Sequence, residues 1–372
     1  MTEEQLESRP LRRRDAIGHL LAVEHLSEIL VLARQPSLRN AALAGLQAAV
    51  AFAIAMPLVL ISPWPHMVGF AGLGALVALF GRFAPKKGRG RIVFYSAICQ
   101  TLAVGSMSLA VWLGASPETL LALLALFSGV LFFVAASVRF GPPGALIFIF
   151  AAGAAMAPVD GWAAVVERVA ATASVAGLAW LICAATEALR HKASEERPLP
   201  VEPARPLTSR LTASVRIAVG AGVAALVTHA LGAAHPAWAA MGAVAVLQGS
   251  HLHISMNRAL QRMIGTAIGA LAVWLILQLD PSVTVIIVLL MGLQFATEVV
   301  IGTNYGLGQI LVTPMALLMS HLAAPQLGAG MAPERVLDTL VGVTLGMVIA
   351  VLLSTLDDRA HLAAHRPRRK RA

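Results

Sequence analysis

Apolar residues come in long runs along this chain, each closed by a short polar or Gly/Pro-containing break. The runs fall at 40–61, 67–81, 92–113, 119–138, 143–158 and 164–187. A polar stretch from Arg190 to Arg210 follows, and the runs resume at 211–231, 237–250, 262–279, 282–301, 306–322 and 335–356. A helix rises about 1.5 Å per residue, so about 20 apolar residues cross the roughly 30 Å of bilayer hydrocarbon. The pattern predicts an all-α integral membrane fold of about twelve transmembrane helices. Ten or eleven crossings result if 67–81 or 237–250 is re-entrant.

Composition removes the soluble alternative. Hydrophobic residues make up 58% of the chain, charged residues 13%, and the mean hydropathy is +0.77. An ordinary soluble domain is about 25% charged, and one core of this length does not hide so much apolar surface. The net charge is +9 with a pI near 10.7, but the basic residues sit in the breaks between apolar runs. With the N-terminus inside, all but Arg168 and Arg335 of the 28 lysines and arginines lie inside or at the inner edge. This is the positive-inside asymmetry, not a nucleic-acid footprint. It places both termini in the cytoplasm of a multi-pass protein.

The halves echo one another at an offset of about 167 to 174 residues. Trp64 falls against Trp238 and Glu167-Arg168-Val169 against Glu334-Arg335-Val336, and the segment from Gly141 matches the region of the run from Asn304. Six crossings per copy is an even number, so the expected arrangement is two parallel six-helix repeats with a path beside their interface. The domains read as a cytosolic segment 1–38, a first repeat 39–188, a linker 189–209, a second repeat 210–356 and a basic tail 357–372. Within 1–38 the spacing of Ile17, Leu20, Leu21, Ile29 and Leu30 fits either a short surface helix or a plain lead-in.

Candidate chemistry is sparse. The chain has no G-x-S-x-G, H-E-x-x-H or phosphate-cradling loop, so an enzyme is not expected. No cofactor or metal is expected either: Cys99 and Cys183 sit singly in apolar runs, and His251-x-His253 has no third ligand nearby. Glu298 stands out, since a carboxylate within a span marks a pathway or a paired site, although its place near the span's inner end also allows snorkelling. The repeat alignment sets Arg139 opposite its neighbourhood, which suggests an ion pair gating the inner mouth. Asn304 and Gln309, among Gly302, Gly306 and Gly308, suit either a substrate path or a tight turn. Arg258 and Arg262 serve either to attract a carboxylate or to anchor the topology. The G-x-x-x-G pairs Gly265/Gly269, Gly302/Gly306 and Gly342/Gly346 read as close helix packing, and Arg335/Asp338 as a local i, i+3 pair.

The run from His235-Pro236-Ala237-Trp238 through Gln248, Arg258, Arg262, Gly265, Thr266 and Gly269 carries an H-P-x-W opening, a late Gln and an R-x-x-x-R-x-x-G-T-x-x-G stretch. With NYGLGQILVTP and ERVLDTLVG, it resembles the fusaric-acid-resistance-like family, which includes aromatic acid exporters. The first half keeps Trp64 and Arg91 but not the R-x-x-x-R and G-T-x-x-G elements. The resemblance implies a secondary exporter of small organic anions, aromatic carboxylates among them, in a bacterial inner membrane. Proton coupling follows from it together with Glu298. The partners are then the lipid bilayer, the anion and protons; oligomeric state is not legible. Two other readings share the sequence: a passive anion channel, and a non-transporting assembly or scaffold protein.

Overall fold

A computed structural model describes residues 30–85, 88–191, 199, 206–249, 251–323, 330–355, 358, 359 and 362. The surface-helix question for 1–38, most of the linker and most of the basic tail lie outside the described residues. Among the described residues the chain is helical throughout, with no strand. Twelve α-helices form among the described residues: α1 Leu38–Ile61, α2 Val68–Ala75, α3 Arg89–Trp112, α4 Pro117–Val138, α5 Leu146–Ala154, α6 Trp162–Ala185, α7 Leu207–Ala230, α8 Pro236–Leu247, α9 Leu252–Leu277, α10 Val283–Val300, α11 Tyr305–Ala323 and α12 Met331–Leu352. One falls on each apolar run. Eight of them, α1, α3, α4, α6, α7, α9, α10 and α12, are long and apolar enough to cross a membrane.

The remaining four are short or interrupted, and the sequence shows why. A 3₁₀ turn at Pro65–Met67 opens α2 and another at Leu76–Leu79 follows it. Gly141, Gly144 and two prolines delay the start of α5. Pro236 begins α8, and Pro314 breaks the hydrogen-bond ladder inside α11. Start signals elsewhere are ordinary caps: the hydroxyls of Ser37, Ser116 and Ser282 accept hydrogen bonds from the amides of Asn40, Thr119 and Val285.

The long helices turn apolar stripes outward. Leu46, Val50, Ile54 and Leu58 of α1 are exposed at four-residue spacing, as are Leu211, Val215, Val219 and Val223 of α7. Such stripes are costly in water and natural against lipid. The inner faces bring backbones together instead. A Cβ at Gly265 would stand 2.6 Å from the Gly306 carbonyl, and one at Gly342 would overlap the Ala239 carbonyl oxygen. Gly265/Gly269 and Gly342/Gly346 are thus true small-residue contacts, of α9 on α11 and of α12 on α8. Gly302 belongs to the turn between α10 and α11, so Gly302/Gly306 forms no such stripe. Gly342→Val is expected to pry α8 from α12 and cost about 1–3 kcal/mol or more, read as a lowered melting temperature of the detergent-purified protein.

Residue contacts also give the helix directions. In the α2 segment His66, Phe70 and Gly74 meet Glu167, Arg168 and Thr172 in the same order along α6. Ala239 and Ala243 meet Gly342 and Gly346, so α8 and α12 are parallel too. Gly129 and Ser137 of α4 meet Ser214 and Arg210 in reverse order along α7. Odd-numbered helices run one way and even-numbered helices the other in these pairs. Arg39, Arg82, Arg89, Arg139, Arg190 and Arg210 therefore gather at one end, while Arg168 and Arg335 sit toward the other.

Candidate functional site

The short helices surround a cavity of about 480 Å³, within the range that holds a small organic ligand. Its walls come from both halves of the chain: the segment after α2, the ends of α4 and α5, and parts of α7 to α12. Six arginines line it (Arg82, Arg139, Arg210, Arg258, Arg262 and Arg335), against one carboxylate, Glu298, among the described residues. Between them lie apolar walls that include Phe132, Phe150, Met241, Val312 and Met315. An excess of fixed cations beside apolar surface suits a ligand with an anionic group and an apolar body.

At the basic end the mouth is shaped by backbone geometry. Arg139 caps α4 in the left-handed region, φ 59°, and Gly141 and Gly144 follow at φ 69° and 74°. The positive φ at Gly144 strains any L side chain, so glycine suits the turn that closes on Gln248 at the end of α8. Arg139 is exposed and makes no ion pair among the described residues.

The expected Arg139–Glu298 pair does not form. Glu298, buried on α10, is bonded to the Arg82 guanidinium, which is itself buried. Arg82 reaches it because the 3₁₀ turn after α2 stops the helix short and sends the next residues across the cavity. The sequence alignment set Arg139 opposite Glu298 by position in the repeat, and the irregular chain after α2 overrides that register.

Deeper in, Arg262 sits ten residues into α9, about 15 Å along its axis. Its guanidinium donates to the Tyr305 hydroxyl and the Gln309 side-chain oxygen, both at 3.1 Å. Arg258, one turn earlier, lies over the Tyr305 ring at 5.7 Å. Gln309, Arg258 and Arg262 thus come together with Glu298 on one cavity. Asn304 does not join them: its side chain accepts from the Leu307 amide at 3.1 Å and donates to the Val31 carbonyl at 3.2 Å, shaping the turn into α11.

Three lining residues escaped the sequence reading. Arg82 is, by position, one of the basic residues in the breaks between apolar runs, and nothing in its neighbourhood marks it out. Gln294 lies one turn before Glu298 on the same face of α10 and is buried with its side-chain nitrogen lacking an acceptor; that i, i+4 spacing was a usable signal. Arg335 and Asp338, the expected local pair, attract one another but do not reach ion-pair distance among the described residues. The Arg335 guanidinium lies instead over the Trp238 ring at 5.0 Å, facing the cavity. Trp238 in turn stacks on His235 at 4.3 Å, and His235 meets Glu334 at 2.9 Å. The H-P-x-W and E-R-V motifs are thereby one structural unit. The first half holds a related unit, His66 to Glu167 at 3.2 Å and Arg168 over Phe70 at 4.8 Å. Phe70 takes the place of Trp238 there, and Trp64 is exposed, which corrects the alignment of the two tryptophans. His251 and His253 stack on each other with ring centres 5.9 Å apart, and no metal-holding group of three or more His, Cys, Asp or Glu occurs among the described residues.

Comparison with known proteins bears on this second half. Residues 223–349 match the family model described as fusaric acid resistance protein-like. An uncharacterized membrane protein of Bacillus subtilis (strain 168), YvaC, is 32% identical over 125 residues, 33% of this chain and 20% of the relative. The match therefore spans about a fifth of that relative's length. No solved structure matches the chain. The long apolar helices and these matches make the chain a multi-pass membrane protein. The part that carries Gln248, Arg258, Arg262, Glu298, Gln309 and Arg335 is matched to the fusaric acid resistance protein-like family.

Proposed function

We propose that the protein is a secondary exporter of small organic anions, aromatic carboxylates among them, in a bacterial inner membrane with its basic end toward the cytoplasm. The observation that carries this reading is the cavity itself, with six arginines to one carboxylate and an apolar interior. Short or broken helical segments in matching places of the two halves, the 3₁₀ turn after α2 with α8 and α5 with α11, border it, as at transporter sites built on discontinuous helices. We take the halves, 39–188 and 210–356, as two related six-helix units that together cross the bilayer twelve times. The alternating helix directions and the paired His–Glu and Arg–ring contacts support that arrangement.

In this reading the arginines at the mouth concentrate anions from the cytoplasm. Moving one negative charge out of an inside-negative cell releases about 2.3 kcal/mol per 100 mV. Glu298 is the group assigned to protons. While it is ionised it neutralises Arg82; export driven by the proton gradient requires the proton to enter on this carboxyl in exchange for the outgoing anion, not to leave with it. No nucleotide-binding motif offers ATP as a direct energy source.

The test is efflux of a labelled hydroxybenzoate from loaded cells expressing wild type or Glu298→Gln, with and without a protonophore. The expected result is export above empty-vector cells that the protonophore collapses and Glu298→Gln loses. Export that survives Glu298→Gln unchanged would mark a passive anion path. Export no faster than in empty-vector cells would remove aromatic carboxylates from the proposal.

A further inference from the structure

Arg335 and Arg168 occupy related settings with opposite outcomes. Arg168 lies over a ring and donates to three carbonyls, those of Ala155, Ala157 and Pro158, at 3.3, 3.0 and 2.5 Å. Both of its terminal nitrogens are bonded and only its Nε lacks an acceptor, as befits a structural cation. Arg335 lies over the Trp238 ring but finds no carbonyl; its Nε and Nη1 are buried without an acceptor, and the residue is only 3% exposed. Asp338, one turn along, attracts it but does not reach ion-pair distance among the described residues.

The neighbouring charge deepens the imbalance. Arg262, 2% exposed, is close enough to Arg335 for the two to repel. Its bonds go to neutral partners, Tyr305 and Gln309, and its Nε is also unpaired. A buried donor without an acceptor costs about 1–3 kcal/mol, and more when charged. Asp338 attracts Arg335 without bonding it, so the N–H donors that the two cations turn to one cavity stay open among the described residues, and a bound anion would satisfy them.

We infer that Arg262 and Arg335 form a carboxylate-binding subsite at the deep end of the cavity, with the ligand's apolar body held by the wall of Phe150, Met241 and Met315. The subsite rests on the anion-cavity reading above and adds where the anionic group docks. The mouth arginines then attract the substrate, and the deep pair holds it. A guanidinium pair grips a planar carboxylate through several parallel N–H bonds, so the ligand class is a monocarboxylate with a compact aromatic or apolar body.

The experiment measures equilibrium binding of labelled benzoate to the purified full-length protein, with benzamide as the uncharged competitor, alongside the melting temperature without and with benzoate. Wild type is expected to bind benzoate, resist competition by benzamide and melt higher with benzoate present. Arg335→Leu is expected to weaken benzoate binding at least tenfold. The same variant should melt no lower than wild type without ligand, because an unsatisfied buried cation has been removed. Arg168→Leu should melt lower, since it strips partners from three carbonyls. Arg335→Leu that binds benzoate as tightly as wild type would overturn the subsite while leaving the cavity reading intact. So would an Arg335→Leu that melts as far below wild type as Arg168→Leu does, since Arg335 would then be a structural cation. Absence of benzoate binding to wild type would overturn both. Normal binding and loss in Arg335→Leu, with no export from cells, would uphold the subsite and overturn the transport assignment.

Discussion

Replacing Arg82 by leucine is expected to destabilise the protein by about 3–5 kcal/mol, the usual cost of leaving one member of a buried ion pair without its partner. Glu298 and Arg82 expose only 5% and 6% of their side chains. The carboxylate stem is pressed against α1, where a Cβ on Gly45 would stand 3.0 Å from the Glu298 Cβ. The double variant Arg82→Leu/Glu298→Leu is expected to recover most of that loss, because it removes both desolvated charges together. A double-mutant cycle on melting temperature checks this. If Arg82→Leu alone melts like wild type, the carboxylate does not depend on Arg82 for its burial, and its proposed role in coupling loses its structural basis.

The second large effect concerns flux. Arg262→Gln should reduce anion transport by about ten- to a hundredfold, the equivalent of about 1.5–3 kcal/mol for a hydrogen bond to a charged group. Tyr305 and Gln309 hold this guanidinium in place with two 3.1 Å hydrogen bonds, so it is preorganised toward the cavity and loses little entropy when it meets a ligand. Its own partners are neutral. Glutamine at this position leaves no buried charge unpaired, so the loss of flux should come without a matching loss of stability. That separation distinguishes a ligand-binding arginine from a structural one.

Much of this was legible in the residue order, because lipid-crossing helices announce themselves by length and hydropathy. Each apolar run became one helix, and Ser37, Ser116 and Pro236 mark starts that a capping argument finds. Gln309, Arg258 and Arg262 were legible as candidates since amides and arginines within apolar runs are costly without a task. The pairing of Glu298 was not. Its partner stands 216 residues away on an irregular stretch, and repeat position says nothing about where a chain goes after its helix stops early. Arg335 misled for another reason: i, i+3 spacing to Asp338 suggests a pair, but the Trp238 ring draws the guanidinium to the cavity side. Asn304 looked like a path residue only because the local backbone it caps is invisible in a list of residue types.

The most direct test of the anion path uses purified protein in sealed vesicles and two permanently charged aromatic probes, benzenesulfonate and phenyltrimethylammonium. Neither crosses lipid readily, and they differ chiefly in the sign of the charge. The account predicts protein-dependent flux of benzenesulfonate that rises when the compartment it leaves is made negative, falls at least tenfold in Arg262→Gln, and has no counterpart for the cation. Equal flux of both probes, or faster flux of the cation, would contradict it.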